Sequence, residues 1–173
     1  SNFQAAQNIE KSFDGDFNTL YHSNYSSTAA SFPITLVYAF DGNTPLDYLV
    51  YYPRNDRGIN GLLGKVKISY NTTANQTYVE LANQDFGQGQ DVRKITFPSQ
   101  IKPTSIKFEI LDGKENFASI AEMEFYSNNT NKFDPKKYAT IFKDDLFSEL
   151  NTGVNQQVVD GITTSPFAKS LAQ

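Results

Sequence analysis

From Phe32 onward the chain alternates short apolar runs with turn residues. Ile34-Thr35-Leu36-Val37-Tyr38-Ala39-Phe40 is β-branched and aromatic and ends at Asp41-Gly42-Asn43, a strong turn signal. A second run from Leu46 to Tyr52 stops at Pro53. Lys65-Val66-Lys67-Ile68-Ser69-Tyr70 alternates charged and apolar residues with period two, which buries one face of a strand and wets the other. Thr77 to Leu81, Arg93 to Phe97, Ser105 to Ile110 and Ile120 to Tyr126 complete the series, with Ile106, Phe108 and Ile110 again facing one way. Seven strands at short spacing, with no helical stretch between them, predict two antiparallel sheets packed face to face: an all-β sandwich of jelly-roll type. Binding chemistry in such folds sits on the loops at the strand ends.

The two flanks of the series differ from it. Ser1 to Lys11 is polar with scattered apolar positions and is expected to run along the surface into Asp14-Gly15-Asp16-Phe17-Asn18-Thr19. After Tyr126, Ser127 to Asn131 reads as a polar linker, and Asp134-Pro135 as an N-cap followed by proline at the first helical position. Ile141, Phe142, Leu146 and Leu150 then recur at helix-like intervals, and Thr152-Gly153 and Ser165-Pro166 mark two further helix starts. The expected organisation is a sandwich over residues 1–127 and a linker with a helical appendage over 128–173, the start of a following domain.

Composition narrows the function classes. A chain of 173 residues fits one well-packed domain plus an appendage. The net charge of −4 argues against nucleic acid, which calls for clustered Lys and Arg. No apolar run approaches the ~20 residues of a membrane span. Without cysteine there is no thiolate nucleophile or thiolate zinc site, and a single histidine, His22, rules out a His-rich one. G-x-S-x-G, P-loop and H-E-x-x-H patterns are absent, and Asp144-Asp145 reads as a solvated face.

Candidate chemistry concentrates in the loop at Asp14. Oxygen-bearing side chains and a glycine within six residues suit a hard cation such as calcium, which takes carboxylate, hydroxyl and carbonyl oxygens together. It is not an EF-hand, because the sixth and twelfth positions hold Thr19 and Tyr25 in place of glycine and glutamate. An Asx turn without metal is the other reading of the same residues.

Three segments in register carry a family resemblance. Asn8 to Ser23, with Asp14-Gly15-Asp16 and Tyr21-His22-Ser23, is similar to the opening of the discoidin, or coagulation-factor C-domain, fold and of the family 32 carbohydrate-binding modules within it. Tyr52-Pro53-Arg54-Asn55-Asp56, followed by Asn60-Gly61 and Gly64, resembles the family's Pro-Arg and Asn-Gly segment, and Ile120-Ala121-Glu122-Met123-Glu124-Phe125-Tyr126 its closing strand.

The resemblance implies one structural calcium between opening loop and closing strand. Its ligands would be the carbonyls of Lys11, Asp16 and Ala121, the carboxylates of Asp14 and Glu122, and Thr19 by carbonyl and hydroxyl. It also implies a sugar site made by His22, Tyr25, Arg54, Asn60 and Phe117, with galactose or N-acetylgalactosamine as the expected ligand. Tyr21 and Tyr25 stand where tryptophan is usual, and the Arg57-Gly58-Ile59 spacing can redirect Asn60.

The tail from Ile141 to Ala172 resembles the lead-in to an enhancin-like, mucin-degrading metallopeptidase of Bacteroides-type bacteria, without that enzyme's zinc motif. The expectation is a non-catalytic, monomeric module of a longer extracellular or cell-surface bacterial protein, binding glycans on glycoproteins such as mucin, with neither nucleic acid nor membrane insertion. A discoidin-type domain that docks against protein is the alternative.

Overall fold

A computed structural model of the chain describes residues 3–25, 31–128 and the backbone of 132–133. The strands are Tyr21–His22 (β1), Ile34–Ala39 (β2), Leu46–Tyr52 (β3), Lys65–Asn71 (β4), Val79–Asp85 (β5), Arg93–Ile101 (β6), Ser105–Ile110 (β7), Ser119–Ile120 (β8), Glu122–Tyr126 (β9) and Lys132–Phe133 (β10). They form two four-stranded sheets, ordered β10-β9-β3-β6 and β2-β7-β4-β5, and a small β1-β8 pair; every pairing is antiparallel. The fold is therefore an all-β sandwich. Strand pairing continues past residue 127 at β10, while the expected helix starts from Asp134 onward lie outside the described residues. Among the described residues no helix is long and apolar enough to cross a membrane.

The period-two pattern becomes the core directly. Val66 and Ile68 of β4 are buried while Lys65 and Lys67 are exposed, and Ile106, Phe108 and Ile110 of β7 are buried together. They meet Leu49 and Tyr51 of β3, Ile95 and Phe97 of β6, and Met123 and Phe125 of β9 in one apolar cluster. Aromatic rings fill its middle: Phe125 lies 5.3 Å from Tyr38 and 5.0 Å from Phe40, while Tyr51 lies 4.7 Å from Phe86, ring centre to ring centre. Tilted and edge-on contacts of this kind add to the area they bury.

Three strands depart from the sequence expectation: the expected run from Ile120 to Tyr126 breaks at Ala121, so that Ile120 pairs in β8 with β1 while Glu122–Tyr126 forms β9 in a different sheet. The fourth expected strand, Thr77 to Leu81, is instead Val79–Asp85. Backbone pairing from Lys65↔Asp85 to Tyr70↔Val79 sets that strand, although Leu81 is its one buried apolar side chain. β6 runs on to Ile101 through Pro98, which an edge strand with an irregular register at that point accommodates.

The opening segment is tied to the core before it reaches the loop. Ile9–Ser12 makes one turn of 3-10 helix, and the Ser12 hydroxyl sits 2.7 Å from the Ile9 carbonyl and 2.8 Å from the hydroxyl of the fully buried Tyr38. Burial pushes the Tyr38 phenol up, so it stays neutral and needs that partner. Ser12→Ala is expected to cost about 1–3 kcal/mol by leaving a buried hydroxyl unpaired. A lower urea midpoint at an unchanged slope is the expected readout.

Candidate functional site

Beyond Ser12 the chain turns through Asp14–Thr19 against the start of β9. Thr19 Oγ1 donates to Asp14 Oδ2 at 2.7 Å and lies 3.1 Å from the Asp16 carbonyl, which also accepts the Thr19 N–H at 3.0 Å. Lys11 Nζ reaches Asp14 Oδ2 at 3.2 Å, and the Asp16 N–H donates to Asp14 Oδ1 at 2.9 Å. Partial burial works to raise the Asp14 carboxyl, but the bonds from Thr19, Asp16 and Lys11 outweigh it and hold the group below the usual range.

Glu122 closes the other side. On β9, Met123 and Phe125 face the core, so Glu122 points away from it; its carboxylate is 2% exposed and accepts the Gly15 N–H at 3.2 Å on both oxygens. The residue that interrupts the apolar face of the closing strand thus enters the opening loop. This donor set suits a hard cation: a buried carboxylate faces a loop that carries a second carboxylate, a threonine hydroxyl and a carbonyl. Among the described residues no three side chains of Asp, Glu or His converge, so a metal here would draw largely on main-chain and hydroxyl oxygens.

The chain then enters β1, where His22 pairs with Ser119 of β8. Ser23 N donates to the Ala118 carbonyl at 2.8 Å, and Ala118 N donates to Ser23 Oγ at 2.9 Å, bringing the loop before β8 beside β1. Three rings gather there. His22 lies 5.0 Å from Tyr25 in an edge-to-face contact and 5.6 Å from Phe117, and the Tyr25 and Phe117 rings stand perpendicular at 6.4 Å. Tyr25 is exposed and Phe117 half-buried, whereas His22 is buried.

The His22 ring has a fixed polarity. Nδ1 lies 2.7 Å from the Ser23 carbonyl, which can only accept, so Nδ1 carries the proton and Nε2 presents a lone pair. Nε2 is buried without a hydrogen-bond partner. Burial pushes the imidazole below its ordinary 6.5 and the Arg54 charge adds to this, against the Ser23 bond, the Asp56 charge and the neighbouring Asn60 side chain, and the ring is neutral at pH 7.

Arg54 supplies the other half. Its Nε and one terminal nitrogen donate to the two Asp56 carboxylate oxygens, each at 2.7 Å, and the other terminal nitrogen donates to the Asn60 carbonyl at 2.8 Å and to the Asn60 side-chain oxygen. The Arg54 bond holds the Asp56 carboxyl below its usual range against some desolvation. The Asn60-Gly61 corner is locked onto β8 by the Ser119 N–H donating to the Gly61 carbonyl at 2.7 Å, with Gly61 at φ +84°. His22, Tyr25 and Phe117 therefore form one aromatic cluster, and Arg54 and Asn60 form a polar pair close enough to act on His22. Asp56, which orients the guanidinium, and Gly58, where a Cβ would lie 2.3 Å from Arg54 Cζ, were not among the expected site residues. The signals for them were the Pro53-Arg54-Asn55-Asp56 segment and the Arg57-Gly58-Ile59 spacing beside it.

Residues 1–123 match the family model described as the F5/8 type C domain. The chain belongs to this family. Among solved structures, this F5/8 type C domain resembles the family 32 carbohydrate-binding module of Clostridium perfringens NanJ, solved in complex with galactose. The two are 25% identical with a TM-score of 0.64, over 73% of this chain and 90% of that one. The tandem family 32 modules of C. perfringens ZmpB, in complex with N-acetylgalactosamine, are 30% identical with a TM-score of 0.59, over 73% of this chain and 31% of that one. Antigenic protein P1 of Entamoeba histolytica is 22% identical over 138 residues, and the F5/8 type C domain spans 12% of its length.

Proposed function

We propose that this domain is a non-catalytic carbohydrate-binding module that grips a terminal sugar of the galactose or N-acetylgalactosamine type on glycoproteins. It works outside the cell, as the targeting part of a larger enzyme. The observation that carries this reading is the buried lone pair of His22 Nε2, which makes no hydrogen bond of normal geometry although the Asn60 side chain lies beside it, in a cluster with Tyr25, Phe117 and Arg54. A sugar ring supplies what these groups lack: a hydroxyl for Nε2, an apolar C–H face for an exposed tyrosine and a half-buried phenylalanine, and a further hydroxyl for the amide nitrogen of Asn60, whose oxygen Arg54 already holds. The galactose and N-acetylgalactosamine complexes of the NanJ and ZmpB modules support it.

Calcium belongs to the same reading. Asp14, Glu122, Thr19 and the carbonyls of Lys11, Asp16 and Ala121 would hold the ion, which would neutralise two carboxylates and pin the opening loop to the closing strand. No chemistry is asked of it. The Asp14–Thr19 loop leads directly into Tyr21-His22, so fixing the loop fixes the base of the sugar site.

Calorimetric titration with galactose and N-acetylgalactosamine tests the proposal, with dissociation constants in the millimolar to micromolar range expected for one small polar contact. Affinity should be flat above pH 6.5 and fall as the pH drops through the lowered His22 value, because protonation turns Nε2 from acceptor into donor and sets a second cation beside Arg54. The stability contribution runs the same way: the folded state resists the proton that the unfolded chain accepts near 6.5, so stability is full above that pH and is lost below it. Silence toward both sugars and across a glycan array would reject the proposal in favour of a domain that docks against protein.

A further inference from the structure

Arg54 also lines a cavity of about 250 Å³, whose wall includes Phe17, Tyr52, Asn55, Gln90 and Val92. None of the three rings of the His22 cluster lines it. We propose that this cavity is a separate binding site for a neutral hexopyranose.

Four features of the wall point to that chemistry. The Phe17 and Tyr52 rings meet nearly at right angles, 79° between planes with centres 4.8 Å apart, making an aromatic corner. Phe17 remains 36% exposed and Val92 54% exposed, so apolar surface at this cavity is left in water. With the described residues neither the Asn55 nor the Gln90 amide makes a side-chain hydrogen bond, which leaves donors and acceptors open beside the corner. The Arg54 charge is already matched by the two-pronged bond to Asp56, so the cavity carries no uncompensated cation that would draw an anion.

Other occupants fit less well. An apolar side chain would cover the rings but strip water from two amides without replacing its bonds. A carboxylate or phosphate would find the guanidinium engaged. A pyranose ring presents a C–H face to the aromatic corner and equatorial hydroxyls to the amides at once. The volume falls just below the ~300–1,000 Å³ of pockets that enclose drug-sized molecules, which suits one sugar ring. Phe17 stands inside the Asp14–Thr19 loop, so whatever orders that loop also orders this wall.

The test is nuclear magnetic resonance on nitrogen-15-labelled protein, titrated separately with galactose, N-acetylgalactosamine, glucose and mannose. The side-chain amide signals of Asn55 and Gln90 and the backbone signal of Val92 are expected to move along one saturation curve. That curve should persist in the Tyr25→Ala, Phe117→Ala double variant, which dismantles the first site, and weaken about tenfold in Gln90→Ala, an exposed position. Absence of movement at these three residues with all four sugars, up to on the order of 100 mM, overturns the proposal. Movement that disappears in the double variant overturns it too, because the signal would then have travelled through Arg54 from the neighbouring site. Loss of the His22 and Phe117 responses alone rejects the first site and leaves the second standing.

Discussion

Adding calcium to metal-stripped protein should raise its unfolding free energy by about 4 kcal/mol once free calcium exceeds the dissociation constant a thousandfold. At about 2–4 °C per kcal/mol for a chain of this size, the melting temperature climbs by roughly 8–16 °C. The size of the effect follows from the geometry. Glu122 is 2% exposed and receives N–H bonds from Gly15, and the loop opposite it carries Asp14 and Asp16 against the single ammonium of Lys11. A divalent ion removes that imbalance and closes a loop between residues more than a hundred positions apart. Magnesium should give much less, since it keeps its waters and seldom accepts so many protein oxygens. Glu122→Gln should abolish the calcium-dependent gain while leaving the Gly15 bond possible. Differential scanning calorimetry with and without chelator measures both; a melting temperature indifferent to calcium would dismiss the ion.

How far the sequence anticipated the structure depended on what held each element. β4 and β7 were legible because one face of each is wet and the other buried, so the alternation Lys65-Val66-Lys67-Ile68 reports the fold directly. β5 was misplaced because Asn83 and Asp85 carry no apolar signal; backbone pairing to Lys67 and Lys65 holds them. β6 was cut short at Phe97 because proline usually ends a strand, and only the sheet order reveals that Pro98 sits on an edge. β1, two residues long, is invisible to any periodicity argument, and β8 was merged with β9 because Ile120 continues the apolar run beyond it. The site divides similarly. Arg54 and Asn60 are six residues apart, within reach of one loop, but the contact of His22 with Phe117 joins residues 95 positions apart and exists only because β1 pairs with β8. Family resemblance, not spacing, is what links those two residues in the sequence.

Arg54→Ala should weaken binding of galactose or N-acetylgalactosamine at least 100-fold, equivalent to about 2.7 kcal/mol, and Arg54→Lys should recover little of it. One guanidinium makes four bonds, to Asp56 and Asn60, in directions set by its planar fork. An ammonium cannot occupy both partners in that geometry, so Asp56 and Asn60 would drift apart and the Asn60 amide would lose its aim. Gly58→Ala offers an independent route to the same defect: its Cβ would fall 2.3 Å from Arg54 Cζ and Nη2, displacing the guanidinium without deleting it. Affinities of the three variants, with calorimetric unfolding to confirm that each is folded, provide the check. Undiminished binding by Gly58→Ala and Arg54→Ala together would place the sugar elsewhere.

Because Asp56 already spends the charge of Arg54, a glycan approaching this surface feels no long-range pull. Encounters are unguided, and a lone saccharide leaves soon after it arrives. If the domain grips sugars as proposed, residence on a densely glycosylated surface would grow from rebinding among neighbouring sugars more than from the strength of any single grip.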